Sequence, residues 1–248
     1  MLSLSKAFNK RKEWFNNRSS CFIPVLLNDQ IDVYIIFQNY WKWKNDNNSC
    51  ILNIRFYDSI GNLIKLHNQA IKDIHYEINL SEIIKSDLNT KFKDNFLTAE
   101  VEIISLKNIG FPFPAIITLF ISKESGEVSC VHSAGRSLNS NEINLQREFQ
   151  ETNWLAIENN EFTPFFHIFN PGFNSEANNK GKVSIIIDSE PNLNFDFEIN
   201  LPTKPYSSNI YYLDEYISKK QSSLLNRKKF FIVVSLISYG FMRLVVGN

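Results

Sequence analysis

Apolar and polar positions alternate with period two along much of this chain. Ile31, Val33, Ile35 and Phe37 alternate with Asp32, Tyr34, Ile36 and Gln38. That is the period of a strand with one buried face. Leu52, Ile54 and Phe56 alternate with Asn53, Arg55 and Tyr57, and Ile74, Tyr76, Ile78 and Leu80 form a further run. Between them, Asp58-Ser59-Ile60-Gly61-Asn62 reads as a turn in which Gly or Asn takes positive φ. Ser81 is expected to cap a short helical turn. Val101 and Ile103 should face a core, with Glu100 and Glu102 outward. A turn at Asn108-Ile109-Gly110 should then close a hairpin with the apolar strand Ala115–Ser122. Short strands punctuated by turn signals predict an all-β sandwich or barrel.

The pattern occurs twice. Asp58-Ser59-Ile60-Gly61-Asn62-Leu63 recurs as Asp188-Ser189-Glu190-Pro191-Asn192-Leu193, 130 positions later, and Leu52–Tyr57 then lies over Lys182–Ile187. Ile36–Asn39 resembles Ile168–Pro171, Leu80–Ile83 resembles Leu213–Tyr216, Val101–Leu106 resembles Phe231–Leu236, and Gly110-Phe111 resembles Gly240-Phe241. These blocks keep their order. A rival match of Glu77–Leu80 to Glu198–Leu201 breaks that order and is set aside. The reading is two tandem antiparallel β-sandwich domains related by internal duplication. Their expected bounds are a basic N-terminal arm at 1–21, copy 1 at 22–132, a linker with a short helix at 133–161, and copy 2 at 162–248. Copy 1 continues through a last strand, Val128–His132, for which copy 2 has no counterpart, so that edge strand is absent or the reading frame is cut short.

Composition narrows the functional classes. The formal net charge is zero, against a large nucleic-acid footprint. Cys21, Cys50 and Cys130 are widely spaced, and a role as small buried apolar residues in a reducing compartment fits them best. His67, His75, His132 and His167 are dispersed, so neither metal nor cofactor is expected. The basic arm lacks the apolar stretch of a secretory signal, which makes cytoplasmic the default and leaves surface association open. Phe230–Val246 is the most apolar stretch, but Ser235, Ser238, Gly240 and Arg243 interrupt it. Two buried strands around a turn are expected there, not a transmembrane segment.

The order of strands and turns resembles immunoglobulin- or fibronectin-like modules of bacterial surface proteins. The residues that carry the likeness are Asn170, Pro171, Gly172, Val183, Ile185, Ile187, Asp188, Leu201, Pro202, Leu213 and Glu215, with Gln38-Asn39 at the corresponding place in copy 1. The resemblance implies an immunoglobulin-like sandwich that adheres, spaces or binds.

Two strings carry candidate chemistry. In Tyr40-Trp41-Lys42-Trp43-Lys44, a strand would put Trp41 and Trp43 on one face, where coplanar rings stack on sugar. Tyr40, Trp41 and Trp43 are therefore the expected contacts for a glycan or protein partner. The alternative is the loop Val131-His132-Ser133-Ala134-Gly135-Arg136, with His132 as base or donor, Ser133 as nucleophile and Arg136 as anion holder. Adjacent residues of an extended chain point to opposite sides, so His132 does not easily activate Ser133. The leading expectation is a non-catalytic binding protein. Its rivals are an enzyme or accessory factor of carbohydrate metabolism working in an interdomain cleft, and an assembly subunit pairing through edge strands. Ligand and oligomeric state are not encoded legibly.

Overall fold

The structure is a computed structural model. It describes residues 18–85, 95–106, 115–132, 147–156, 164–172, 180–187, 190–225, 229–238 and 243–247. The chain divides into two compact units: Met1–Phe56 with Leu63–Arg136, and Tyr57–Asn62 with Ser137–Asn248. Both are all-β.

Unit 1 contains β1 (Arg18–Leu26), β2 (Ile31–Gln38), β3 (Cys50–Tyr57), β4 (Leu63–Ile71), β5 (His75–Asn79), β6 (Phe96–Ser105), β7 (Ile116–Ser122) and β8 (Val128–His132). Two short helices join them, α1 (Tyr40–Asn45) and α2 (Leu80–Lys85). The strands form two four-stranded sheets, β1-β6-β3-β4 and β5-β2-β7-β8. One core cluster draws on both: Cys21, Ile23 and Val25 of β1, Val33, Ile35 and Phe37 of β2, Leu52, Ile54 and Phe56 of β3, and Leu97, Ala99, Val101 and Ile103 of β6. The period-two pattern thus marks the inward faces.

Unit 2 contains β9 (Arg147–Ala156), β10 (Phe165–Phe169), β11 (Lys180–Ile187), β12 (Phe195–Asn200), β13 (Ser208–Tyr212), β14 (Lys229–Ser238) and β15 (Arg243–Gly247), with a helix α3 (Lys219–Leu225) before β14. Its sheets run β12-β11-β14-β9 and β13-β10-β15. Taking β9 to β15 in place of β1 to β7, both sheets have the order of unit 1; among the described residues only a counterpart of β8 is missing. Unit 2 also takes in Tyr57–Asn62. There the Ser208 N–H donates to the Ser59 carbonyl at 3.0 Å, and Tyr57 stacks on Tyr206 with ring centroids 5.0 Å apart. Gly61 sits at φ +91°, and a Cβ on it would lie 2.3 Å from the Pro205 carbonyl oxygen, so both conformation and space demand glycine.

Several expectations need correction. Arg18–Cys21, placed in the N-terminal arm, opens β1, which pairs with β6 along its whole length. Residues 147–156, placed in the linker, form β9, whose ten residues pair with β14 from Ser238 opposite Arg147 to Lys229 opposite Ala156. β6 and β7 make no hairpin: β6 lies beside β1 and β3, and β7 beside β2 and β8. The same holds for the two strands of the apolar tail, β14 and β15. An immunoglobulin sandwich pairs its first strand with its second. Here β1 pairs with β6 and β2 with β5 and β7, so the outer strands do not follow that order. No helix among the described residues is long and apolar enough to cross a membrane.

The expected alignment of the two halves also needs a change of phase. Leu52, Ile54 and Phe56 point into the core of unit 1, and Val183, Ile185 and Ile187 into that of unit 2. Even positions therefore match odd ones. The sequence match at 130 places buried Leu52 over exposed Lys182, a slip that turns every side chain to the wrong face. Backbone pairing supplies the phase for β2 and β10. The Asn39 N–H donates to the Ile74 carbonyl just before β5, and the Asn170 N–H to the Ser207 carbonyl just before β13, at 2.7 and 2.9 Å. Both asparagines are fully buried. Asn39 therefore matches Asn170, and Phe37 matches Ile168. The block at Leu80 and Leu213 is in phase: each leucine is fully buried at the start of a helical turn that follows the equivalent strand, β5 or β13.

Candidate functional site

The aromatic string folds as helix, not strand. Asn39 is the cause: its side-chain Oδ1 accepts from the Lys42 N–H and caps α1, while its own backbone N–H is held by the Ile74 carbonyl. At the other end Asp46 takes the left-handed conformation, φ 48°, and its side chain pairs with Lys42 four residues earlier. On a helix, residues two apart face nearly opposite ways. Trp41 is fully buried in the unit 1 core, whereas Trp43 is 52% exposed. The expected coplanar pair of Trp41 and Trp43 does not form.

A different grouping takes its place, since residues three apart share a helix face. The Tyr40 and Trp43 rings lie 5.7 Å apart at 34°, and Lys44 holds its ammonium 3.8 Å from the centroid of the Trp43 indole. This is a cation–π contact at an exposed position, worth about 0.5–1 kcal/mol. Tyr40, Trp43 and Lys44 are thus a mixed aromatic and cationic surface patch. On a strand Lys44 would lie on the face away from both indoles, and only the helical phase reveals its place beside the Trp43 ring.

The second string lies at the limit of what is described. His132 ends β8, its backbone opposite Ile117, while Ser133 and Arg136 lie outside the described residues. Val128 is 56% exposed, and Cys130, expected to be buried, is exposed and free. Cys21 and Cys50 are buried. Among the described residues no group of three or more His, Cys, Asp or Glu side chains is placed to hold a metal.

Sequence reasoning missed a charged cluster on the outer face of the sheet β1-β6-β3-β4. Glu100 and Glu102 do point away from the core, as alternation requires, but they are buried, 1% and 2% exposed. Arg55 Nη1 reaches both carboxylates, at 3.2 Å from Glu100 Oε2 and 2.5 Å from Glu102 Oε2. Asn53 Nδ2 donates to the same Glu102 oxygen at 3.2 Å. One guanidinium nitrogen thereby meets both carboxylates and offsets part of the cost of burying them. The signal was present as Asn53 and Arg55 opposite Glu100 and Glu102, but alternation reports which face a residue takes and not whether that face is wet. Ser81, expected to cap α2, instead accepts the Val33 N–H on its hydroxyl at 3.0 Å, and Asn79 Oδ1 accepts the Glu82 N–H.

No protein-family model matches this chain, and no curated protein matches it.

Proposed function

We propose that the chain is a non-catalytic binding protein built from a duplicated β-sandwich module, with Tyr40, Trp43 and Lys44 as its contact surface. The duplication is supported by the shared strand order of the two units and by the equivalent buried pair Asn39 and Asn170. The immunoglobulin-like reading is supported in the middle of each unit. There β2 pairs with β5 and β3 neighbours β6, as in that sandwich. The outer strands β1 and β7 are exchanged between sheets. With them the order is that of a jelly roll without its first strand, the place beside β7 being taken in unit 1 by β8.

The observation that carries the binding reading is the half-exposed Trp43 ring between Tyr40 and the Lys44 ammonium. An indole face takes the apolar face of a sugar ring or an apolar side chain, and the neighbouring ammonium takes a carboxylate or hydroxyl beside it. The ligand classes are a glycan and a protein partner. A glycan-array screen with the full chain and with Trp43→Ala separates them. Binding by the wild type that falls at least about tenfold in the variant supports this surface. Equal binding by both removes the patch from the function, and Trp41→Phe, a core change, serves to distinguish lost contact from lost fold. A second reading, an assembly subunit that pairs through sheet edges, is favoured by the exposed apolar side chains of β4 described next.

A further inference from the structure

Strand β4 ends its sheet: it has β3 on one side and, among the described strands, none on the other. Such an edge presents unpaired N–H and C=O groups that template another strand. Three large apolar side chains on it stand exposed, Leu63 at 53%, Ile64 at 39% and Leu66 at 50%. The strand is nine residues long.

Unit 2 supplies an internal comparison. Its strand β12 has the same place, at the end of β12-β11-β14-β9, and it is guarded by charge. Asp196 pairs with Lys182 at 2.6 Å and Glu198 with Lys180 at 2.7 Å, all four side chains being exposed. The hydrogen bonds from these lysines hold both carboxyls below their usual range. Charged side chains on an edge strand are how sheet proteins discourage pairing. β4 lacks that guard. Lys65 is the only Lys, Arg, Asp or Glu in it, and the Lys65 ammonium is turned to the Ile83 carbonyl of α2.

We propose that β4 is a self-association edge, pairing antiparallel with β4 of a second copy about a two-fold axis to join two four-stranded sheets into one. Charge selects this occupant. Two β4 strands bring together one charged side chain from each copy, Lys65, whose ammonium is turned to the Ile83 carbonyl, whereas a β12 pair would bring Asp196 and Glu198 of both copies together. A two-fold pairing is closed, so assembly stops at the dimer. The apolar side chains left in water by the monomer are covered by their own counterparts. This inference rests on the assembly reading and names its partner.

The test is the mass of the full chain by sedimentation over a range of concentrations, for the wild type and for Ile64→Lys/Leu66→Lys. The expected result is a wild-type dimer that dissociates on dilution. The double variant, which raises the lysines on each edge from one to three, should associate at least about tenfold more weakly, with the circular dichroism of the wild type and the same Tm at dilutions where both chains are monomeric. If the double variant loses its strand signal, Gln69→Lys, an exposed polar position on the same edge, is used instead and read the same way. A wild type that is monomeric throughout overturns both this proposal and the assembly reading. A dimer that survives the lysines overturns the β4 edge alone and leaves assembly through another surface.

Discussion

His167 is fully buried in β10, and the loss of hydration on charging it there lowers its pKa from 6.5 to about 3. The position of β2 that corresponds by the backbone pairing of Asn39 and Asn170 is held by Ile36. Above pH 6.5 the imidazole is neutral in the folded and unfolded chain alike, and the folded state is not penalised. As the pH falls below that value the unfolded chain binds a proton that the folded one refuses. Stability then drops by up to about 1.4 kcal/mol per pH unit until the folded pKa is reached. His167→Ile is expected to remove that slope, which urea unfolding of both chains from about pH 7 down to pH 5 measures. An equal slope in the two chains would mean that the burial of His167 is not felt. At this scale the sequence was least legible. Nothing in Tyr40–Lys44 announces whether Trp41 or Trp43 enters the core, because the answer is set by Asn39, whose capping depends on a carbonyl 35 positions away at Ile74. The buried pairing of Arg55 with Glu100 and Glu102 was hidden likewise, since partners on different strands meet only once the register is known.

Elements were more legible than residues. The runs Ile31–Phe37, Leu52–Phe56 and Val101–Ile103 alternate cleanly because one face of each strand meets the core, and the structure buries the odd positions of β2 and the even ones of β3. The sequence match between the two halves failed at the same scale. Asp58–Leu63 and Asp188–Leu193 agree in four letters of six, yet Tyr57 and Leu63 are separated by five residues, whereas seven separate Ile187 and Phe195. Turn residues recur wherever chains turn, so a match anchored on a turn is free to slip against the pleat. Phase is testable in β11. Ile185 is fully buried and Ile186 is 36% exposed. Ile185→Ala should cost about 2–5 kcal/mol, and Ile186→Ala under about 1 kcal/mol, both by denaturant unfolding. The reverse order would restore the sequence phase. Strand β9 was missed because Arg147–Ala156 mixes Glu148, Gln150, Glu151, Thr152 and Asn153 with few apolar residues, and periodicity cannot find a strand that lacks a clean apolar stripe.

At the scale of the molecule, chain order is a weak guide to neighbours. In unit 1 the hairpin β3–β4 stays within one sheet and β7–β8 within the other, while the remaining connections cross between sheets. That is why the strands read as hairpins at β6–β7 and β14–β15 lie in different sheets. The shared order of the two units bears most of the account, because the duplication, the phase correction and the comparison of β4 with β12 all depend on it. Cross-strand nuclear Overhauser effects along β14 of the full-length protein test it most directly. The structure predicts contacts from β14 to both flanking strands, Val233 opposite Thr152 of β9 and Ile232 opposite Ile185 of β11. A β14 that shows a hairpin ladder to β15, with no contact to residues 147–156, would contradict it.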